Sequence, residues 1–187
     1  MNDYPTIETE RLILRGPKTS DLQLVYEIHS DPDVMRYYGV LPYDSEEKAQ
    51  KHLDWLISLH TEKKGLRPVI TIKGEDTYIG DVGYYDYEKK HNRAEIGYIL
   101  GKDHWGKGIM TEALEAMLRY GFKRMNLNRV QALIDPRNKA SMRVAEKQGF
   151  MYEGTFREYE FEYGDYIDLY MYSLLARDFN RQWTLPE

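Results

Sequence analysis

With 187 residues, of which 42% are hydrophobic, the chain is long enough to bury a core and about the length of one domain. A formal charge of −5 disfavours a nucleic-acid-binding surface, and the absence of cysteine excludes disulfides, thiolate metal sites and a cysteine nucleophile. Neither an apolar run long enough to span a bilayer nor a charged-then-apolar leader is present, so a soluble, cytoplasmic protein without nucleic-acid or membrane partners is expected.

Residues 11–15 alternate and stop at Gly16 and Pro17, the pattern of a first strand closed by a turn. Thr19, Ser20 and Asp21 offer N-caps to a helix whose apolar positions Leu22, Val25, Tyr26 and Ile28 run up to Asp31 and Pro32. A second helix is expected from Asp44, three residues before Glu47 as in a capping box. Its stripe is Ala49, Leu53, Leu56 and Ile57, and it stops at Gly65. Residues 68–73, 78–87 and 93–100 read as three strands of an antiparallel meander. After a glycine-rich turn comes a helix with Met110, Ala113, Leu114, Met117, Leu118 and Met125 on one face. Residues 129–134 read as a strand ended by Asp135 and Pro136, 138–148 as a short helix stopped by Gly149, and 151–175 as a hairpin about Gly164 and Asp165. No linker or repeat interrupts this order, so one domain over residues 1–187 is expected, a mixed sheet with helices on both faces.

The most informative stretch is residues 101–112, GKDHWGKGIMTE, a glycine-rich turn between a strand and a long amphipathic helix. Such a turn aims free backbone N–H groups, at the positive end of a helix dipole, toward an anion. A P-loop would need a hydroxyl where Gly108 stands, and a dinucleotide fingerprint would need glycine where Thr111 stands. Gly106 and Gly108 at the helix start suit a pyrophosphate held by amides without a metal, although an ordinary strand-to-helix turn uses glycines in the same way.

The motifs AEIGY at 94–98, WGKG at 105–108 with TEAL at 111–114, RVQA at 129–132, NKAS at 138–141 and EKQGF at 146–150, with TERLILR at 9–15, resemble the GNAT N-acetyltransferases. Their RimJ/RimL branch is the most similar, and the likeness runs over about residues 8–175. The resemblance implies an α+β, three-layer α/β/α fold whose mostly antiparallel mixed sheet is splayed between strands four and five, residues 93–100 and 129–134. It also implies acetyl-CoA as donor, a primary amine as acceptor and no metal. The pantetheine arm would lie along Tyr98, Ile99 and Leu100 in a form of strand addition, and the pyrophosphate on the amides of Trp105, Gly106, Lys107, Gly108, Ile109 and Met110. Asn138 matches a CoA-contacting asparagine and is equally a sound helix N-cap. Asp103 departs from the family pattern, where glutamine or arginine opens the turn; Lys102 or Lys107 could compensate. The family's frequent general-acid tyrosine falls on Ala145. Ser141 stands where RimL-like members carry a serine, implied to protonate the leaving thiolate.

Without cysteine, direct attack in a ternary complex is the simpler scheme. Glu95 is the first candidate base: it alternates with Gly97 on one strand face, where the glycine would leave room for substrate, and it is the acid of the AEIGY motif. The bland reading is a strand glutamate paired with Arg93 or Arg129. Asp135 and Asp81 are reserve carboxylates, Glu112 fits a structural place in the first helical turn, and an amide near Ile99 would face the oxyanion. The five histidines lack metal-ligand spacing. The tyrosine- and acid-rich segment 152–172 reads as an amine-attracting mouth or as a hairpin of aromatic pairs, with Tyr37 and Tyr38 at the same opening. The expected function is transfer of acetyl from acetyl-CoA to a protein N-terminal α-amine of the ribosomal-protein kind. Alternatives are a small amine, polyamine or amino sugar, or a non-catalytic acyl-CoA sensor. The expected partners are acetyl-CoA and an amine acceptor, with a homodimer as a candidate assembly.

Overall fold

Alternating runs of β-branched and aromatic residues, cut by Gly, Asn and Pro turns, pair into an eight-stranded sheet in the computed structural model, which describes residues 4–162 and 164–182. The strands are β1 (Ile7–Glu8), β2 (Leu12–Arg15), β3 (Val69–Ile72), β4 (Gly80–Glu88), β5 (Arg93–Leu100), β6 (Arg129–Ile134), β7 (Met151–Glu162) and β8 (Asp165–Leu175). The helices are α1 (Leu22–Ser30), α2 (Pro32–Met35), α3 (Glu46–Thr61), α4 (Ile109–Lys123), α5 (Lys139–Lys147) and α6 (Ala176–Gln182). Strand order is β1-β2-β3-β4-β5-β6-β8-β7. Among the described residues no helix is long and apolar enough to cross a membrane.

Every neighbouring pair is antiparallel except β5 and β6, which run parallel and pair only from Arg93 opposite Arg129 to Glu95 opposite Gln131. Beyond that point β5 stays paired to β4 as far as Leu100 opposite Gly80, and β6 stays paired to β8 as far as Ile134 opposite Tyr170. The sheet therefore divides into two halves joined over three residues of each strand. This is the expected splay of strands four and five, numbered one higher here because β1 precedes them.

The even positions of β5, Ala94, Ile96 and Leu100, pack with Leu114, Met117 and Leu118 of α4 and with Met142 and Ala145 of α5. On the opposite face Val25 of α1 and Ala49 of α3 close a smaller core over Val69 and Tyr78. Three layers result, α1 and α3 on one side and α4 and α5 on the other.

Three short elements lay outside the sequence reading. β1 has two residues, α2 is a single turn begun by Asp31, whose side chain accepts from Asp33 N–H, with Pro32 at the first position, and α6 follows β8 directly. The expected cap of α3 also moves. Ser45 is the N-cap, and Asp44 and Glu47 are drawn instead to Lys48 and Lys51 in i,i+4 ion pairs, so no capping box forms. Residues 19–21, expected as caps, wind into a 3-10 turn that leads into α1.

Gly121 lets α4 reach the sheet: a Cβ there would lie 2.2 Å from the phenol oxygen of fully buried Tyr84, which donates to Met117 O at 2.8 Å. Gly121→Ala, a change that ordinarily stabilises a helix by up to about 1 kcal/mol, is expected to destabilise this one by about 1–3 kcal/mol, read as a lower urea midpoint at unchanged slope.

Candidate active site

Which main-chain groups face the gap follows from strand alternation. Asn92 O accepts from Asn128 and Arg129 N–H on the β6 side, whereas Gly101 N–H donates to Ile79 O on the β4 side. Even positions of β5 therefore turn their backbone groups toward β6, and beyond the last paired residues, Glu95 and Gln131, those of Tyr98 and Leu100 meet no partner strand among the described residues. Leu100 O is taken by the Trp105 indole N–H at 2.7 Å. Tyr98 keeps its N–H and C=O open to the gap, while Ile99, expected to carry the free amide, points its amide at β4.

The turn after β5 is held from outside. Gly106 and Gly108 have φ of +72° and +75°, which places the start of α4 against the gap, and a Cβ at Gly106 would meet open space. The first helical bond runs from Glu112 N–H to Gly108 O at 3.1 Å, leaving the N–H groups of Ile109, Met110 and Thr111 ahead of it. Glu112 is a clamp rather than a catalyst. It accepts from Thr9 Oγ1 at 2.6 Å, Arg11 N–H at 2.9 Å and Arg11 Nε at 2.6 Å, and Arg11 Nη1 donates to Lys107 O at 3.0 Å. Burial would raise the Glu112 pKa, but Thr9 and Arg11 outweigh it and hold the carboxyl low.

Between the splayed strands and this turn lies a cavity of about 550 Å³, lined by Tyr98, Ile99, Leu100, Trp105, Gly106, Gly108, Ile109, Met110, Asn138 and Ser141 among others. Every donor-binding residue expected from sequence reaches it except Lys107, whose side chain is exposed and which contributes only its carbonyl to Arg11. Asp103 is exposed and off the lining, so its charge does not face the cavity, and Lys102 is engaged by Asp33 at 2.5 Å. The open turn with its unpaired amides fits a pyrophosphate. Asn138 is the N-cap of α5, its Oδ1 accepting from Ser141 N–H at 3.0 Å, and it also lines the cavity. Ser141 Oγ lies 2.7 Å from the Tyr98 phenol oxygen, a contact across the gap with no signal in the sequence.

Glu95 lies outside the cavity lining, on the other face of β5. It accepts from Tyr85 Oη at 2.6 Å and from Gln131 Nε2 at 3.4 Å, and burial raises its pKa. The ion pairs expected of it go elsewhere, Arg93 to Glu88 and Arg129 to Glu153. The space beside Gly97 is not left for substrate: a Cβ there would lie 2.9 Å from both Arg67 Nη1 and Tyr85 Cε1.

Arg67 is the centre of this second face. Its Nε donates to Asp81 at 2.5 Å, its Nη2 to the Tyr38 hydroxyl at 2.9 Å, and its guanidinium lies over Trp55 and Tyr85. Burial would lower the Arg67 pKa, yet Asp81, Tyr38 and Tyr85 keep it raised; burial would raise that of Asp81, yet Arg67 and His52 hold it low. His29, His52 and Asp81 bring ligand atoms within 4.8 Å of one another, which sequence spacing did not foretell. Both Asp81 oxygens, however, are engaged, by Arg67 and by Tyr78 Oη at 2.7 Å. Burial and the neighbouring His52 push His29 down to about 3, so it stays neutral. The cluster is a buried support under Tyr38, which with Tyr37 lines the cavity, whereas no residue of the segment 152–172 is part of that lining.

The hairpin divides between the two sequence readings. Its base is structural: Glu153 pairs with Arg129 and accepts from Ser173 Oγ at 2.6 Å, and Tyr152 packs on Tyr170 and Tyr172. Farther along, Glu160 and Glu162 approach Gly39 next to Tyr37 and Tyr38, each with a carboxylate oxygen 3.4 Å from a Cβ built there. Glu162 is raised by burial, then by Glu160 and Asp135, and Glu160 also acts on Glu95. Asp135 is bound to Arg137, whose guanidinium lies over Tyr37.

Residues 11–151 match the acetyltransferase (GNAT) domain family. Over 174 residues the chain is 37% identical to the uncharacterized N-acetyltransferase p20 of Bacillus licheniformis, spanning 93% of this chain and 98% of that protein. It is 29% identical over 153 residues to the spermidine N(1)-acetyltransferase of Escherichia coli strain K12, spanning 82% of this chain and 80% of that one. Among solved structures it superimposes, with a TM-score of 0.81 and 25% identity, on RimL, a ribosomal L7/L12 alpha-N-protein acetyltransferase in complex with coenzyme A, covering 91% of this chain and 98% of that one. The chain belongs to the GNAT acetyltransferase family and is an acetyl-CoA-dependent N-acetyltransferase.

Proposed function

We propose that the chain transfers acetyl from acetyl-CoA to a primary amine of a small cationic acceptor of the polyamine kind, by direct attack in a ternary complex. The observation that carries the acceptor is the meeting of Glu160 and Glu162 at Gly39, next to the cavity-lining Tyr37 and Tyr38, with Glu160 also acting on Glu95. An acceptor with a second ammonium gains there what a single amine cannot. The likeness to a spermidine acetyltransferase agrees with this reading. A protein N-terminal α-amine is the second reading, favoured by the likeness to RimL and by the exposed outer strand β7, with Tyr159 53% and Phe161 64% accessible.

In this scheme the pyrophosphate rests on the amides of Ile109, Met110 and Thr111 and the pantetheine arm follows the open backbone of Tyr98. The Tyr98 N–H faces the oxyanion as it forms, and Ser141 Oγ–H is turned to the departing sulfur. Glu95 draws the ammonium proton through an intervening water. Its raised pKa narrows the gap to an amine, while Tyr85 and Gln131 hold the carboxylate in one orientation.

Two measurements follow. Because only the carboxylate form of Glu95 accepts a proton and burial raises its pKa, kcat/KM is expected to fall as pH drops through a limb displaced above the ordinary glutamate range. Glu95→Gln should abolish that limb and lower kcat by about a hundredfold or more with acetyl-CoA affinity kept; an unchanged pH profile removes Glu95 from the base role. Against a panel of polyamines, monoamines and N-terminal peptides, Glu160→Gln and Glu162→Gln should raise KM for spermidine by about three- to tenfold and leave KM for a monoamine unchanged. Release of CoA with peptides alone would favour the α-amine reading instead.

A further inference from the structure

We propose that Tyr98 is a positioning residue for the leaving group: its phenol sets the direction of the Ser141 hydroxyl proton, turning it toward the sulfur of the donor. The inference rests on the acetyl-transfer scheme above, in which Ser141 faces the departing thiolate.

Tyr98 lies on the face of β5 turned toward α5, and its hydroxyl crosses the gap to Ser141, 2.7 Å from Oγ and 3.2 Å from the Ser141 carbonyl oxygen. Both residues line the cavity. Each hydroxyl has one proton, so the trio has two arrangements. In the closed one Ser141 Oγ–H donates to Tyr98, and Tyr98 O–H donates to the Ser141 carbonyl, which spends the serine proton inward. In the open one Tyr98 O–H donates to Ser141 Oγ, and the serine proton is free for an acceptor in the cavity. The 2.7 Å contact is common to both arrangements and only the longer 3.2 Å one is peculiar to the closed arrangement, while a phenol is a much stronger donor than an aliphatic hydroxyl, which favours the open one. A thiolate entering the cavity wall as acceptor adds the further drive, because a hydroxyl that already accepts from a phenol is a better donor onward.

Acid strengths decide what the pair can do. Burial pushes Tyr98 up to about 12, whereas an ordinary thiol titrates near ~8.5. A thiolate therefore does not strip the proton from this phenol, still less from serine. The ammonium first loses a proton through Glu95, the amine nitrogen forms its bond to the carbonyl carbon, and the C–S bond then breaks with its electron pair on sulfur. The Ser141 hydrogen bond stabilises the thiolate, the second nitrogen proton passes to water as the adduct collapses, and the sulfur takes a proton back from that water, so that one proton is released in all. Position 145 of α5 is Ala145, buried in the core beside Met142, so that position supplies no hydroxyl to the gap and the phenol comes from β5.

The test compares Tyr98→Phe, Ser141→Ala and the double variant with saturating amine, reading kcat, KM for acetyl-CoA and CoA affinity. Tyr98→Phe is expected to lower kcat about tenfold or more with CoA affinity within about twofold, and the double variant to be no slower than Ser141→Ala. Fluorotyrosines of graded acidity placed at position 98 keep the shape of the side chain, so a purely structural role predicts no change, whereas the proposal predicts a kcat that tracks phenol acidity at constant KM. A fully active Tyr98→Phe beside an impaired Ser141→Ala overturns the role of Tyr98 alone, as would losses that multiply in the double variant. A fully active Ser141→Ala overturns the leaving-group reading of Ser141, and the proposal with it.

Discussion

The three-residue parallel contact between β5 and β6 is the constraint from which the rest of the molecule follows. Each strand is secured by its other neighbour, β5 by β4 and β6 by β8, so the pair can part after Glu95 and Gln131 without loss of either. Parting strands leaves main-chain groups without partners, a state that is tolerated when the groups line a cavity that a ligand or water fills. A parallel pair also demands a crossover, here residues 101–128, and that crossover has to begin where β5 ends. The glycine turn, the unpaired amides of α4 and the open backbone of Tyr98 are consequences of one topological choice, and they arrive at one place because of it.

Two clamps keep the gap from closing on itself. On the donor side Glu112 gathers Thr9, Arg11 and, through Arg11, the carbonyl of Lys107, so that the connection between β1 and β2 grips the turn. On the proposed acceptor side the buried pair of Arg67 and Asp81 fixes Tyr38, Trp55 and Tyr85, the last of which donates to Glu95. A buried ion pair adds little net stability against an apolar replacement, yet removing one partner costs about 3–5 kcal/mol because the other charge is left stranded. The pair is therefore better understood as an orienting device than as a source of stability.

What was legible in the sequence was whatever depends on neighbours in the chain. The bounds of β5 and β6 were read to the residue, since each is an alternating run between turn residues, and Asn138 was read as a cap because its partner is three residues away. The cap of α3 slipped by one residue because Asp44 had a local rival, Lys48, that the capping pattern ignores. The contacts of Glu95 were not legible: Tyr85 stands opposite it through the β4–β5 register, and Arg67 and Tyr85 occupy the space beside Gly97 that spacing alone offered to substrate. Ser141 was singled out, but its partner Tyr98, 43 positions earlier, appears only once β5 and α5 face each other.

This division explains why the donor is easier to recognise than the acceptor. The donor side is built largely of main-chain groups presented by a glycine turn and a splayed strand, and such a site leaves its mark as small residues at fixed spacing, which relatives share whatever they acetylate. The proposed acceptor side is built of side chains from α3, β4, β6 and β7 and from the segments after α2, before β3 and after β6, each supplying one or two groups from distant parts of the chain. Charge is what those groups have in common, and charge placed by tertiary packing has no period in sequence. Specificity in this chain is therefore to be sought in how Glu160, Glu162 and Asp135 are balanced against Arg137, and not in any residue of the turn.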